Sequence, residues 1–148
     1  MKNHPDNLKQ FSINVENINT ALSKNKNILL YCDIGVGVSS ILTQSIKKYN
    51  KTLVDLRCSM LDPHDFMVIN GTLNIFNVKN FPSIENPDYV VMADIDTLPK
   101  LKQEALYDEI KTRYSNATYI IIATDYPGFV VSSDIMKDFS EIIQIKKP

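Results

Sequence analysis

Four short runs of consecutive apolar residues punctuate the chain: Ile28 to Cys32, Thr52 to Leu56, Tyr89 to Ala93 and Tyr119 to Ala123. None alternates with polar residues, so each is expected to be a strand covered on both faces, as in a parallel sheet. The segments between them carry helical spacing. Ile41, Leu42, Ser45, Ile46 and Tyr49 follow the first run, and Leu101, Ala105, Leu106 and Ile110 follow the third, each set marking one face of a helix. Strand and helix therefore alternate, which makes βαβ units and an α/β domain the expectation. A weaker fifth strand is expected at Ile142 to Ile145, after a short helix around Asp134 to Phe139. An N-terminal helix is expected to turn Val15, Ile18 and Leu22 inward. Residues 70 to 88, with Asn70-Gly71, Pro82 and Pro87, are the least regular stretch and read as a long loop with a hairpin at Leu73 to Val78.

Length and composition narrow this picture. A chain of 148 residues suits one domain, able to bury about two-thirds of its unfolded surface. With 44% hydrophobic and 22% charged residues and a net charge of −1, nothing indicates a disordered chain or a strongly charged partner. Lysines pair only locally, at Lys47-Lys48 and Lys146-Lys147, so no nucleic-acid-binding face is expected. Cys32 and Cys58 lie at or near the ends of apolar runs, where free cysteine serves as a small hydrophobe; neither a disulfide nor a metal site is expected. No apolar stretch approaches the roughly 20 residues of a membrane span, and the N-terminus lacks a signal-peptide core. A cytoplasmic protein is the expectation.

Candidate chemistry begins after the first strand. Cys32-Asp-Ile-Gly35-Val36-Gly37-Val38-Ser39-Ser40 sits between a buried strand and an amphipathic helix, the setting of a phosphate-binding loop. Such a loop aims backbone N–H groups at phosphate, uses a lysine to reach the outer phosphates and holds Mg²⁺ through a Ser or Thr hydroxyl. On the pattern G-x-x-x-x-G-K-S/T, Cys32 falls on the first glycine, Val38 on the lysine and Ser39 on the hydroxyl. Valine brings neither charge nor hydrogen bond, leaving backbone amides and the helix terminus for an anion. The structural alternative is that Gly35 and Gly37 make a tight turn and Ser39 caps the helix.

From Asn27 to Ile145 the sequence resembles the AAA+ ATPases, and among them the MoxR-like branch. Val54-Asp-Leu-Arg57-Cys-Ser-Met-Leu61-Asp62-Pro63-His64-Asp65-Phe66 is similar to the family's D-L-R-x-S-x-x-D-P-x-D-L run. Val90-Val-Met-Ala93-Asp94-Ile95-Asp96-Thr97-Leu98-Pro99 is similar to the Walker B strand and its continuation, D-E-I-D-x-L-P after apolar residues. Ile120 to Gly128 resembles the sensor-one strand, commonly ending A-T-x-N-P, and Ile135-Met-Lys-Asp138-Phe139 resembles a short helix that usually ends Arg-Phe. The resemblance implies a three-layer sandwich around a five-stranded parallel sheet of P-loop NTPase type, order 5-1-4-3-2. It also implies that the chemistry is depleted. Without a gap, Ala93 takes the Walker B Asp position and Asp94 that of the Glu; shifted by one, Asp94 meets the metal and Ile95 takes the base position. Tyr126 stands at the sensor-one Asn, beside Asp125, and Asp138 stands where the family presents an arginine to a neighbouring subunit. Such an arginine contributes a factor on the order of 10³ or more.

Other candidates are weaker. His64, in Asp62-Pro63-His64-Asp65, reads as a loop residue at a helix start. Asp94 and Asp96 at the end of a central strand are placed to bind Mg²⁺, or Asp96 and Thr97 cap the helix beginning at Pro99; Ser132, Ser133 and Asp134 read as another cap. The chain has only His4 and His64, so no Ser-His-Asp or Cys-His arrangement is suggested.

The resulting expectation is a single domain over residues 1–148, with residues 1–26 a helical extension and no helical lid after the sheet. It is a catalytically inactive AAA+-like module acting through a protein partner or self-association, with residues 66 to 88, including Phe66, Phe76 and Phe81, as the contact surface. No catalytic residue and no required cofactor are assigned. The alternative is a protein that binds ATP or ADP with Mg²⁺ and hydrolyses slowly. Its phosphate site would be Gly35, Val36, Gly37, Val38, Ser39 and Ser40, its metal contacts Ser39 and Asp94.

Overall fold

A computed structural model describes residues 5–32, 38–61, 65–75, 84–124 and 127–146. The chain opens with helix α1 (Pro5–Ser23), continues with strand β1 (Ile28–Cys32) and helix α2 (Val38–Lys48), and passes through strand β2 (Leu53–Arg57) into a 3₁₀ turn at Cys58–Met60. A hairpin follows, β3 (Phe66–Ile69) and β4 (Thr72–Ile75). Then come β5 (Tyr89–Ala93), a 3₁₀ turn at Ile95–Thr97, α3 (Lys100–Arg113), β6 (Thr118–Ala123), the short helices α4 (Pro127–Val130) and α5 (Ser133–Met136), and β7 (Glu141–Ile145).

Five strands form one parallel sheet in the order β2-β5-β6-β1-β7, and β3 and β4 form a separate antiparallel pair. With only the five sheet strands numbered in chain order, the arrangement from the β7 edge reads 5-1-4-3-2. Two apolar clusters cover its faces. One joins Leu29, Val90, Met92 and Ile121 to Leu106, Tyr107 and Ile110 of α3 and to Ile135 and Phe139. The other joins Ile28, Leu30, Val91 and Ile120 to Ile41, Leu42 and Ile46 of α2 and to Ile18 and Leu22 of α1. Alternate strand residues thus feed opposite clusters, as the pleat requires, and continuous apolar runs follow because both faces are covered.

Several expectations need correction. Burial of β2 alternates, with Asp55 and Arg57 exposed, because it is an edge strand and charge there discourages further strand pairing. Tyr49 and Leu101, expected inward, are 55% and 71% exposed; Tyr49 lies past the end of α2 and Leu101 in the first turn of α3, where the helical face no longer meets the sheet. The hairpin lies earlier than Leu73 to Val78. Asn70 and Gly71 both have positive φ, 52° and 79°, the backbone that a two-residue hairpin turn requires and that Asn-Gly adopts at little cost. The pairing Ile69↔Thr72 out to Phe66↔Ile75 is built outward from that turn. Phe76 and Phe81 lie outside the described residues. So do Asp62, Pro63 and His64.

Polar side chains tie the scaffold together. Gln103, 1% exposed, donates from Nε2 to the carbonyls of Leu98 and Val130 at 2.9 and 2.7 Å and accepts from the Ser132 N–H at 2.9 Å. Asn27 donates to the Asp138 carbonyl at 3.1 Å and accepts from the Tyr119 N–H at 2.9 Å. The Asp88 carboxylate accepts from the N–H and hydroxyl of Thr52 at 2.8 and 3.1 Å. Among the described residues, no helix is long and apolar enough to cross a membrane.

Candidate functional site at the carboxyl edge of the sheet

Parallel strands of matched register end together. Arg57 pairs with Ala93, Ala93 with Ile122, Tyr31 with Ala123, and Cys32 with Ile145. The segments that leave these ends, which include Val38, Cys58, Asp94 and Thr124, therefore gather on one edge, where open α/β sheets place their ligands. Topology thus brings Val38 and Asp94, among the described candidates, to one side of the molecule.

Val38 begins α2 and is 4% exposed, packed with the cluster that holds Ile28, Leu30 and Ile122. Val38, expected from the sequence at the lysine position of a phosphate-binding loop, is therefore part of the apolar core. Ser39 is half-buried and Ser40 exposed. Gly35, Val36 and Gly37 lie outside the described residues, as do Asp125 and Tyr126.

At the end of β5, Ala93 is 2% exposed and contributes only packing. Asp94 takes the left-handed conformation, φ 59° and ψ 35°, which is uncommon outside glycine, though Asn and Asp are enriched there. Its N–H donates to the Ile122 carbonyl at 3.1 Å, so the turn is anchored to β6, and the chain enters the 3₁₀ turn at Ile95, which is fully buried. Asp96 accepts a hydrogen bond from the Thr124 hydroxyl, linking the ends of β5 and β6. Its second carboxylate oxygen, Oδ1, is buried without a hydrogen-bond partner, a costly state for a polar atom. Asp96 and Thr97 do not cap α3. The helix is preceded by Pro99, with no side-chain cap, while the Thr97 hydroxyl donates to the Asp94 carbonyl at 2.7 Å.

Cys58, fully buried, lies close enough to sense both carboxylates. Burial chiefly, then the negative charges of Asp94 and Asp96, pushes its thiol well above the usual range, so it remains a neutral thiol. Reactive thiolates need the opposite surroundings. Among the described residues no three His, Cys, Asp or Glu side chains are grouped to hold a metal ion.

Asp138 is engaged within its own chain. Its carboxylate accepts from the Tyr107 hydroxyl at 2.8 Å and stands 3.9 Å from the Lys111 ammonium, which itself lies 4.5 Å from the Tyr107 ring centre. Burial first, and then Asp138, pushes the Tyr107 hydroxyl far above its ordinary value. The sequence places Gln103 on the helix after the third strand but assigns it no role. Its signal was there: it sits three residues before Leu106 and seven before Ile110, on the apolar face of α3, where an amide needs internal partners.

NtrX from Brucella abortus in complex with ADP matches over 99% of this chain and 37% of its own, with a TM-score of 0.64 and 9% identity. The same protein in complex with ATP gives 0.61 and 10% identity over 99% and 38%. The Thermotoga maritima RuvB Holliday junction branch migration motor gives 0.56 and 17% identity over 96% and 45%.

The fold is that of the matched parts of NtrX and RuvB.

At these identities the likeness concerns the fold alone, and the chain spans less than half the length of each of these proteins. No protein-family model matches the sequence, and no curated protein matches it.

Proposed function

We propose that this chain is a catalytically inactive AAA+-like domain of the cytoplasm that acts through contacts with another protein or with itself. The burial of Val38 carries this reading: at the head of α2, where a nucleotide hydrolase needs a cation for the outer phosphates, the side chain is packed into the core. Ala93 at the end of β5 and Asp138 in its internal pairing with Tyr107 support it, since neither offers a Walker B carboxylate or a transition-state cation. The run from Val54 to Phe66 remains the reason to place the chain near the MoxR-like branch. A contact surface is supplied by the hairpin, where Met67 and Val68 are 46% and 66% exposed, and by Leu101 at the start of α3, whose neighbour Lys102 lies 5.1 Å from the Phe66 ring centre.

A second reading is favoured by two observations: NtrX binds ADP and ATP in the related structures, and Asp96 keeps an unpaired carboxylate oxygen at the carboxyl edge. On this reading, residues 35–40 cradle phosphate weakly and Asp94 meets Mg²⁺. Thermal-shift titration with ATP, ADP and sulfate, with and without Mg²⁺, separates the two, run beside a phosphate-release assay. A specific ligand at a hundred times its Kd would stabilise by about 2.7 kcal/mol, raising Tm by about 5–10 °C. The inactive reading expects no Mg-nucleotide shift and no phosphate release. A Mg-dependent shift that disappears in a folded Gly37→Asp variant would replace it with the second. For the contact surface, Val68→Asp with Leu101→Asp is expected to reduce self-association or partner capture in sedimentation experiments; unchanged behaviour removes that surface from the proposal.

A further inference from the structure

The sheet has two edges, and charge guards only one of them. On β2, Asp55 and Arg57 stand exposed, which discourages pairing with a further strand. On β7 the residues between Glu141 and Lys146 are Ile-Ile-Gln-Ile, without charge. Ile142 is 44% exposed and Gln144 is exposed, while Ile143 and Ile145 turn to the opposite face and pack with the cluster that holds α1 and α2. Among the described residues β7 pairs with β1 and with no other strand, so its outer side presents the row of backbone N–H and C=O groups of an open edge.

Helix α1 stands beside this edge without closing it. Lys24 forms an ion pair with Glu141 at 3.3 Å near the start of β7, and Asn14 donates to the Lys146 carbonyl at 2.8 Å past its end, so helix and strand run side by side in opposite directions. Between them lies a groove of about 340 Å³, bordered by Asn17, Thr20, Ala21 and Lys24 and by residues 141–144. An open backbone edge is matched by another extended strand, and charge indicates which one. The segment is acidic at its start, Glu141, and basic just past its end, Lys146. Antiparallel pairing with the same segment of a second copy sets each Glu141 at the end of the interface where the other copy carries Lys146; parallel pairing would set like charges together. A two-fold axis perpendicular to the sheet keeps equivalent faces together. With that axis at Ile143, Ile142 lies opposite Gln144 of the second copy, and Glu141 opposite its Ile145. The two α1 helices then run antiparallel to each other, with the small residues Thr20 and Ala21 nearest the axis.

We propose that β7 pairs antiparallel with β7 of a second copy, joining the two sheets into one about a two-fold axis at Ile143. This surface is distinct from the hairpin but serves the same reading, a domain acting through contacts, on which the proposal rests.

The test is sedimentation equilibrium of the full chain. Monomer and dimer are expected with a Kd on the order of 10 μM, the weak end for an interface of one strand and one helix. In Ile142→Lys with Gln144→Lys, like charges stand opposite each other across the interface, and no dimer should form up to about 500 μM, far above that Kd. Tm should change little, since both positions are exposed. Ile142→Glu with Gln144→Glu should likewise be monomeric. An equimolar mixture of the two variants is expected to recover the dimer, because each lysine then meets a glutamate. Val68→Asp with Leu101→Asp should leave this dimer intact while reducing larger assemblies or partner capture. The proposal is overturned if the parent chain stays monomeric over that range, if the lysine variant dimerises as the parent does, or if the mixture stays monomeric. A dimer lost in the hairpin variant but kept in the lysine variant overturns it too, and leaves the contact-making reading standing with the hairpin as its surface.

Discussion

The polar groups that hold the scaffold and those that gather at the carboxyl edge are treated very differently by the fold. Gln103 is buried and makes three hydrogen bonds, one to each side of the junction between α3 and the α4–α5 segment and one from Ser132. Asn27 and the Thr52–Asp88 pair are likewise matched donor to acceptor. At the carboxyl edge, Asp96 shares one hydrogen bond with Thr124 and leaves an oxygen unpaired, while Val38 and Ala93 contribute apolar packing. The difference teaches that the fully matched polar side chains, Gln103, Asn27 and Asp88, hold backbone in place. Scaffold groups answer fixed internal partners and are intolerant of change; carboxyl-edge groups answer few partners and should tolerate it.

The contrast is broken or sharpened by substitutions of graded effect. Gln103→Leu is expected to cost the most, about 3 kcal/mol or more, because two carbonyls and one N–H lose their partners in the interior; Tm should fall by about 6–12 °C in thermal denaturation. A loss below 1 kcal/mol would mean that the junction relaxes and that Gln103 is no staple. Asn27→Ala should cost about 2 kcal/mol in urea unfolding, through the unpaired Tyr119 N–H and the lost tie to the Asp138 carbonyl. At the third position the dependence is on pH. Asp88 is held below the ordinary carboxylate range mainly by the Thr52 N–H, so the folded protein binds this proton less tightly than the unfolded chain. Its ionised form therefore stabilises the fold at neutral pH, and that part is lost as pH falls through the carboxylate range. Asp88→Asn should narrow the stability difference between pH 7 and pH 3, measured by chemical denaturation. An unchanged difference would show that the Thr52 contact does not persist in solution.

The smallest effect is expected at the carboxyl edge. Asp96→Asn keeps an acceptor for the Thr124 hydroxyl, so its stability should lie within about 0.5 kcal/mol of the parent. If it destabilises as much as Gln103→Leu, the two regions are equally bound into the fold and the comparison fails.

Much of the architecture was legible before any coordinates. The apolar runs at 28–32, 89–93 and 119–123 are central strands because only a sheet covered on both faces demands continuous burial. The inward residues Ile18, Leu22, Ile41, Leu42, Ile46, Leu106 and Ile110 follow from helical spacing. Where the reading faltered, the missing information was spatial. Tyr49 and Leu101 fit the helical period yet face solvent, since periodicity does not say where a helix stops touching the sheet. The hairpin lies before Leu73 to Val78 because the paired positive φ values of Asn70 and Gly71 make that dipeptide the turn itself.

The candidate site divides in the same way. Sequence alone determined which residue types stand after the first, third and fourth sheet strands. Tertiary structure alone decided that Val38 enters the core, that Asp96 meets Thr124 across 28 residues of chain, that Asp138 turns to Tyr107, and that α1 and β7 border one groove. Local periodicity records which face of an element is apolar. Partnerships between distant side chains arise only when parallel register sets strand ends side by side, and no local pattern encodes that distance.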